Sequence, residues 1–144
     1  MSGARVVAAA RLWLGTPYVH QASCRGVGCD CLGLLRGVWR DMLGPEPEAV
    51  PSYTRDWSEA SGQEALWAAA LRWLRPAGPE LRDGDILLFR MREGAVAKHL
   101  GFAATGAAGP TVIHAYTGHG VVESPLSAAW SRRIVARFRF PFEE

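Results

Sequence analysis

The side chains best suited to chemistry in this chain are three cysteines and four histidines. Cys24, Cys29 and Cys31 lie close together in "SCRGVGCDCLG", with His20 just before them. His99, His114 and His119 lie far downstream. Clustered thiols can bind a metal, form a disulfide or supply a nucleophile. The spacing H-x3-C-x4-C-x-C is not one of the usual zinc patterns, which pair ligands as C-x2-4-C. A zinc-binding module built on His20 and the three cysteines is therefore the lesser alternative. Three cysteines cannot all pair within one chain, and nothing at the N-terminus marks the chain for an oxidising compartment.

The nucleophile reading singles out Cys31. It opens the run "CLGLLRGVWRDML", in which Leu34, Leu35, Val38, Trp39 and Met42 recur at helical spacing. Asp30 is placed to cap that helix. A thiol at a helix N-terminus sits at the positive end of the dipole beside free N–H groups, which favours the thiolate. The Asp30 charge opposes this, so a histidine is needed to take the proton. Without one, Cys31 reads as a small buried hydrophobe. "AKHLGFAA" and "TVIHAYTG" are both strand-like and flank the turn "TGAAGP". A hairpin centred near Gly106-Ala107 sets His99 directly opposite His114, with both side chains on one face. One histidine can then be a base and the other its orienter.

The elements that position these residues follow from periodicity and breakers. Residues from about 3 to 14 read as an amphipathic helix, stopped by Gly15-Thr16-Pro17. Tyr18 to Asp30 is a glycine- and cysteine-rich loop. The central helix is predicted from about Cys31 to Leu43 and ends at Gly44-Pro45. Gly33 and Gly37, four apart, let another element approach it closely. "GPEPEAVPSY" is an irregular connection, and Ser58 to Leu74 reads as a third helix. Strands are predicted at Ile86 to Met91, His99 to Ala104, Thr111 to Tyr116 and Arg133 to Phe140, with another at Val121 to Glu123. Gly84 serves the turn into the first of these, and Asp85 makes a local hydrogen bond. Helices first and strands after make an α+β domain with an antiparallel sheet. Residues 1–144 form one domain.

Composition narrows the function. The chain is 49% hydrophobic and 21% charged, enough for a sizeable core. The net charge of +2 does not call for a nucleic-acid partner. Fifteen of the sixteen basic residues are arginine, and the cluster from Arg132 to Arg139 alternates with apolar residues as the solvated face of a strand. No apolar run reaches the roughly 18–20 residues of a membrane span. The start "MSGARVVAAARLWLG" carries an arginine within its apolar stretch, unlike a signal peptide. The expectation is synthesis in the cytoplasm, no membrane insertion, and delivery by another route.

The segments "GTPY", "DCLGL", "GDILLF", "KHLGF" and "VIHA" occur in this order from about Thr16 to Tyr116. In this the chain resembles the NlpC-type cell-wall cysteine peptidases. "TPYVHQAS", "GCDCLGLLRGVWR", "YTRDW", "LLFRMR", "AKHLG" and "GVVESPL" carry a narrower resemblance, to the small cell-wall peptidases of phage and gene-transfer-agent tails. The resemblance implies a papain-like fold with a nucleophile helix packed on an antiparallel sheet. It implies Cys31 as nucleophile, His99 as general base and His114 as the orienting third member. Tyr18 would place its hydroxyl near the oxyanion, and Asp30 would lie at the substrate face and meet a substrate amine. The implied activity is hydrolysis of amide bonds in peptidoglycan stem peptides, between D-glutamate and a diamino acid, with no metal or organic cofactor. Tail-tip proteins are the implied partners, on a particle that carries the enzyme to the cell wall. The chain departs from the family pattern at Leu32, where serine is common, and at His20–Cys24, where a Gly-Gly is common. Both departures bear on substrate choice. Cys29 is expected to pack within the loop, and Cys24 and His20 to be partly exposed. Two alternatives are a non-catalytic adaptor of a tail tip and an amidase or acyltransferase on the same scaffold.

Overall fold

The computed structural model describes residues 2–47 and 65–141. The chain runs α1 (Ser2–Arg11), β1 (Ser23–Cys24), β2 (Gly28–Cys29), α2 (Cys31–Leu43), α3 (Ala65–Trp73) and β3 (Arg75–Pro76). It continues β4 (Ile86–Phe89), β5 (His99–Gly106), β6 (Gly109–Tyr116), β7 (Gly120–Pro125), α4 (Ala128–Ser131) and β8 (Ile134–Arg139). β1 and β2 form a small hairpin, and the main sheet has the order β3-β8-β4-β5-β6-β7, antiparallel throughout. This is the α+β architecture expected from the sequence. Among the described residues no helix is long and apolar enough to cross a membrane. "YTRDW", the end of the proline-rich connection and the predicted start of the third helix lie outside the described residues.

α2 matches its predicted bounds. Its cap is the one the sequence named: the Gly33 N–H donates to Asp30 Oδ1 at 2.7 Å. At the other end Gly44, with φ of +93°, leaves the helical region. α1 ends earlier than expected, and Trp13 packs from the following turn instead. The alternation of the strands divides the core. Leu100, Phe102, Ile113 and Ala115 face the helices and meet Val6, Trp13, Leu34 and Val38. Leu87, Phe89, Ala103 and Val112 face the other way, under Leu126, Trp130 and Ile134.

Two glycines allow α2 to lie where it does. A Cβ on Gly37 would collide with the Trp13 indole, and one on Gly33 with the Ala22 carbonyl. The α2 N-terminus is thus pressed against the loop that precedes it. Gly33→Ala should destabilise the fold by about 2–3 kcal/mol, because backbone rather than a flexible side chain must yield. Its gain in helix propensity, about 1 kcal/mol, is smaller. Urea unfolding monitored by tryptophan fluorescence checks this, and an unchanged midpoint would refute the close approach.

Gly84 makes its turn with φ of +88°. Asp85 accepts the local bond from the Arg82 N–H at 3.0 Å. It also takes Arg137 at 3.1 Å and Arg139 at 2.8 Å while almost wholly buried. The basic stripe of β8 is therefore not simply a solvated face. Two of its arginines neutralise a buried carboxylate, a long-range pairing that local sequence does not announce.

Candidate active site

Cys31 is the first residue of α2 and lies against the start of β5. β5 pairs with β4 along His99–Phe102, opposite Phe89–Ile86. Its ladder with β6 runs only from Phe102 opposite Ile113 to Gly106 opposite Gly109. The ladder does not extend to His99–Gly101 and His114–Tyr116. The α2 N-terminus comes to the start of β5: the Cys31 thiol donates to the Lys98 carbonyl at 3.6 Å. The backbone N–H groups of Leu100, Leu32 and Cys31 all favour its thiolate.

The two histidines meet on the sheet face away from α2's apolar stripe. His99 Nε2 and His114 Nδ1 are 2.8 Å apart, with the rings T-shaped. The pair is deeply buried, His114 completely and His99 at 7% exposure. The turn falls one residue later than expected, at Ala107-Ala108, so the register shifts by two residues. His99 and His114 are consequently diagonal neighbours, not directly opposite. A shift of two keeps each side chain on its face, so the pair survives. Gly101 lies beside it, and a Cβ there would press on Val112 at 2.6 Å and His114 Cβ at 3.2 Å.

Sequence reasoning missed two contributors, Ser124 and Trp130. His114 Nε2 lies 3.2 Å from Ser124 Oγ on β7. Trp130 of α4 packs edge-on against His114 at 5.0 Å and tilted against His99 at 5.7 Å. Tyr116 stacks on His114 at 5.4 Å, and His119 stacks on Tyr116 in turn. "GVVESPL" was conspicuous in the sequence, but nothing there told which strand Ser124 would face.

Electrostatics set the resting protonation state. Burial, with help from Asp30, pushes the Cys31 thiol up to about 12, outweighing its backbone N–H groups. Burial and then His114 push the His99 imidazole down to about 3. Burial and then His119 push His114 down to about 4. Burial thus disfavours both the thiolate and the imidazolium forms. A histidine held neutral is lost as a stabilising group once acid protonates the unfolded chain. The fold should lose stability as pH falls below about 6.5, the imidazole's ordinary value, and continue losing it toward the depressed values. The raised thiol acts oppositely, weakening the fold as pH rises past about 9, the ordinary thiol range. Melting temperature against pH should show a plateau between these limits. His99→Gln should flatten the acid side, and an unaltered acid slope would contradict buried neutral His99.

The other expected site residues are placed as follows. Tyr18 is half-buried, forms a parallel bridge with Cys29 and packs on the core beside Cys31. Asp30 is buried, and its second oxygen accepts the Gln21 N–H at 2.7 Å. The carboxylate holds the loop and the helix start together. Gln21 adopts φ of +64°, a left-handed conformation for a non-glycine residue. Cys29 is fully buried, Cys24 is exposed, and all three thiols are free. His20 Nδ1 is 3.9 Å from Asp30. Among the described residues no three His, Cys, Asp or Glu side chains gather closely enough to hold a metal ion. The zinc alternative thus lacks a ligand cluster there.

No family model matches the chain, and no curated protein matches it in sequence. Solved structures do match. The NlpC/p60 domain of the peptidoglycan hydrolase SagA is 24% identical, with a TM-score of 0.58 over 88% of this chain and 91% of that one. An NlpC/P60 family protein from Bacillus cereus is 19% identical, with a TM-score of 0.64 over 97% of this chain. The chain spans only 40% of that protein's length. An N-acetylmuramoyl-L-alanine amidase from Bacteroides uniformis is 14% identical, with a TM-score of 0.62 over 98% of this chain and 99% of that one. With its helices packed on an antiparallel sheet, the chain has the NlpC/P60 fold.

Proposed function

We propose that the protein is a cysteine hydrolase of peptidoglycan, cleaving amide bonds in the stem peptide. The observation that carries this is a helix-N-terminal thiol resting on the Lys98 carbonyl, one residue before a buried His99 that pairs with His114. The peptidoglycan hydrolase among the structural neighbours supports the choice of substrate.

In the proposed cycle His99 accepts the Cys31 proton through Nδ1, since its Nε2 is engaged with His114. The two neutral groups exchange the proton as sulfur attacks the scissile carbonyl. The Cys31 N–H and the Tyr18 hydroxyl hold the oxyanion. Collapse expels the amine, which His99 protonates, and leaves a thioester. His99 then deprotonates water, which releases the acid and restores the thiol. His114 keeps the His99 ring in plane with this path. As a neutral group it stabilises the imidazolium less than a carboxylate would.

The bond we favour is that between D-glutamate and the diamino acid. We place the enzyme on a phage or gene-transfer-agent tail, reaching the wall with the tail-tip proteins during genome delivery. The motifs quoted above support this finer reading. The similarity to the amidase supports a second one, cleavage of the bond between muramic acid and L-alanine on the same scaffold. Mass spectrometry of fragments released from purified peptidoglycan separates them. Endopeptidase action exposes the diamino acid's amine, whereas amidase action frees the whole stem from the glycan. Release of neither product would refute the proposal.

A further inference from the structure

The hydrogen bonds do not stop at His114. Three adjacent strands each contribute one polar residue to a continuous line: His99 on β5, His114 on β6 and Ser124 on β7. Each contact is diagonal in register, because His114 stands directly opposite Val122, two residues from Ser124. The line runs on the same face as Trp130, which closes over both imidazoles.

A neutral imidazole carries one proton, so each ring's partner dictates the role of its other nitrogen. For His99 to receive a proton at Nδ1, its own proton must sit on Nε2. That N–H donates to His114 Nδ1, which must then be the bare nitrogen. His114, itself fully buried, must therefore carry its proton on Nε2, and that N–H needs an acceptor where its ring meets β7. The group there is the Ser124 hydroxyl.

Resting on the Cys31–His99 reading above, we propose that Ser124 is a positioning residue that selects the Nε2–H tautomer of His114 and so leaves the Nδ1 lone pair of His99 free for the thiol. No proton leaves the line: each N–H stays on its nitrogen and only its direction is set. Other groups around the pair do not duplicate this role. His119 reaches His114 only through Tyr116, on which its ring stacks. Glu123, next in sequence, is committed to Arg11 at 2.9 Å and Thr111 at 2.7 Å. Arg133 lies over Trp130, 5.5 Å from the ring centre.

Nitrogen-15 NMR of histidine-labelled protein tests the tautomer without any substrate. The wild type should show His114 protonated at Nε2 and His99 at Nε2. In Ser124→Ala the His114 signals should move to a mixture of tautomers, and Ser124→Thr should restore the wild-type pattern. With a soluble stem peptide, Ser124→Ala should lower kcat about five-fold, the worth of one neutral hydrogen bond, at unchanged KM. Ser124→Asp should move the acid limb of the kcat profile to higher pH, because a carboxylate stabilises the imidazolium form. Wild-type histidine signals in Ser124→Ala, or His114 protonated at Nδ1 in the wild type, would overturn the assignment. A loss of activity that threonine fails to rescue would also overturn it. Hydrolysis by Cys31→Ala would sink the catalytic reading instead, and the NMR result separates the two.

Discussion

Cys31→Ala should reduce peptidoglycan hydrolysis by about 10⁴-fold or more, with the melting temperature little changed. The size of the loss follows from what the thiol does. Without it no thioester forms, and water must attack the amide directly with only the oxyanion donors to help. The fold should tolerate the change. Cys31 is not fully buried, and the cap that starts α2 belongs to Asp30, not to the thiol. Alanine is also the better helix former. Circular dichroism and thermal melting beside the rate assay separate lost chemistry from lost structure. Retained hydrolysis in this variant removes Cys31 from the mechanism.

His99→Ala should cost about 10³-fold in kcat, slightly less than loss of the nucleophile. Burial pushes the thiol up to about 12, so it does not ionise by itself near neutral pH. A base within the site must take the proton, and His99 is the residue next to the Lys98 carbonyl on which the thiol rests. His114→Asn should be milder, about ten-fold, because an amide can still accept the His99 N–H and orient the ring. The ordering of the two variants is the informative result. A larger loss from His114→Asn than from His99→Ala would exchange the roles assigned to the two rings. Iodoacetamide alkylation of Cys31 adds a substrate-free measure: in His99→Ala the rate should rise only toward alkaline pH.

Local signals in the sequence were enough to locate α2 and its cap. The run from Cys31 to Leu43 has one apolar stripe, an acidic cap before it and a glycine after it, and all three act within the helix itself. The close approach at Gly33 and Gly37 was legible as a pair of missing side chains, though not which groups would fill the space. The two histidines were legible as a same-face pair because strand alternation has a period of two. Their register was not. "TGAAGP" admits a turn at either of two positions, and both keep the same faces inward. The pairing of β6 with β7 brings Ser124 to His114, and that depends on the whole sheet. Trp130 arrives from a single helical turn whose local pattern is too short to read. Asp30 was assigned two duties, cap and substrate contact. The cap was legible locally, whereas the bond from the Gln21 N–H to its second oxygen depends on the fold of the loop.

The most direct measurement is the mass of the enzyme itself during its first turnover. Wild-type protein mixed with a soluble stem peptide and quenched in acid should gain the mass of the acyl fragment in place of one hydrogen. Peptide mapping should place that gain on Cys31, and Cys31→Ala should show none. An acyl group on a different residue, or product released throughout the first turnover by Cys31→Ala with no acylated enzyme, would contradict the account.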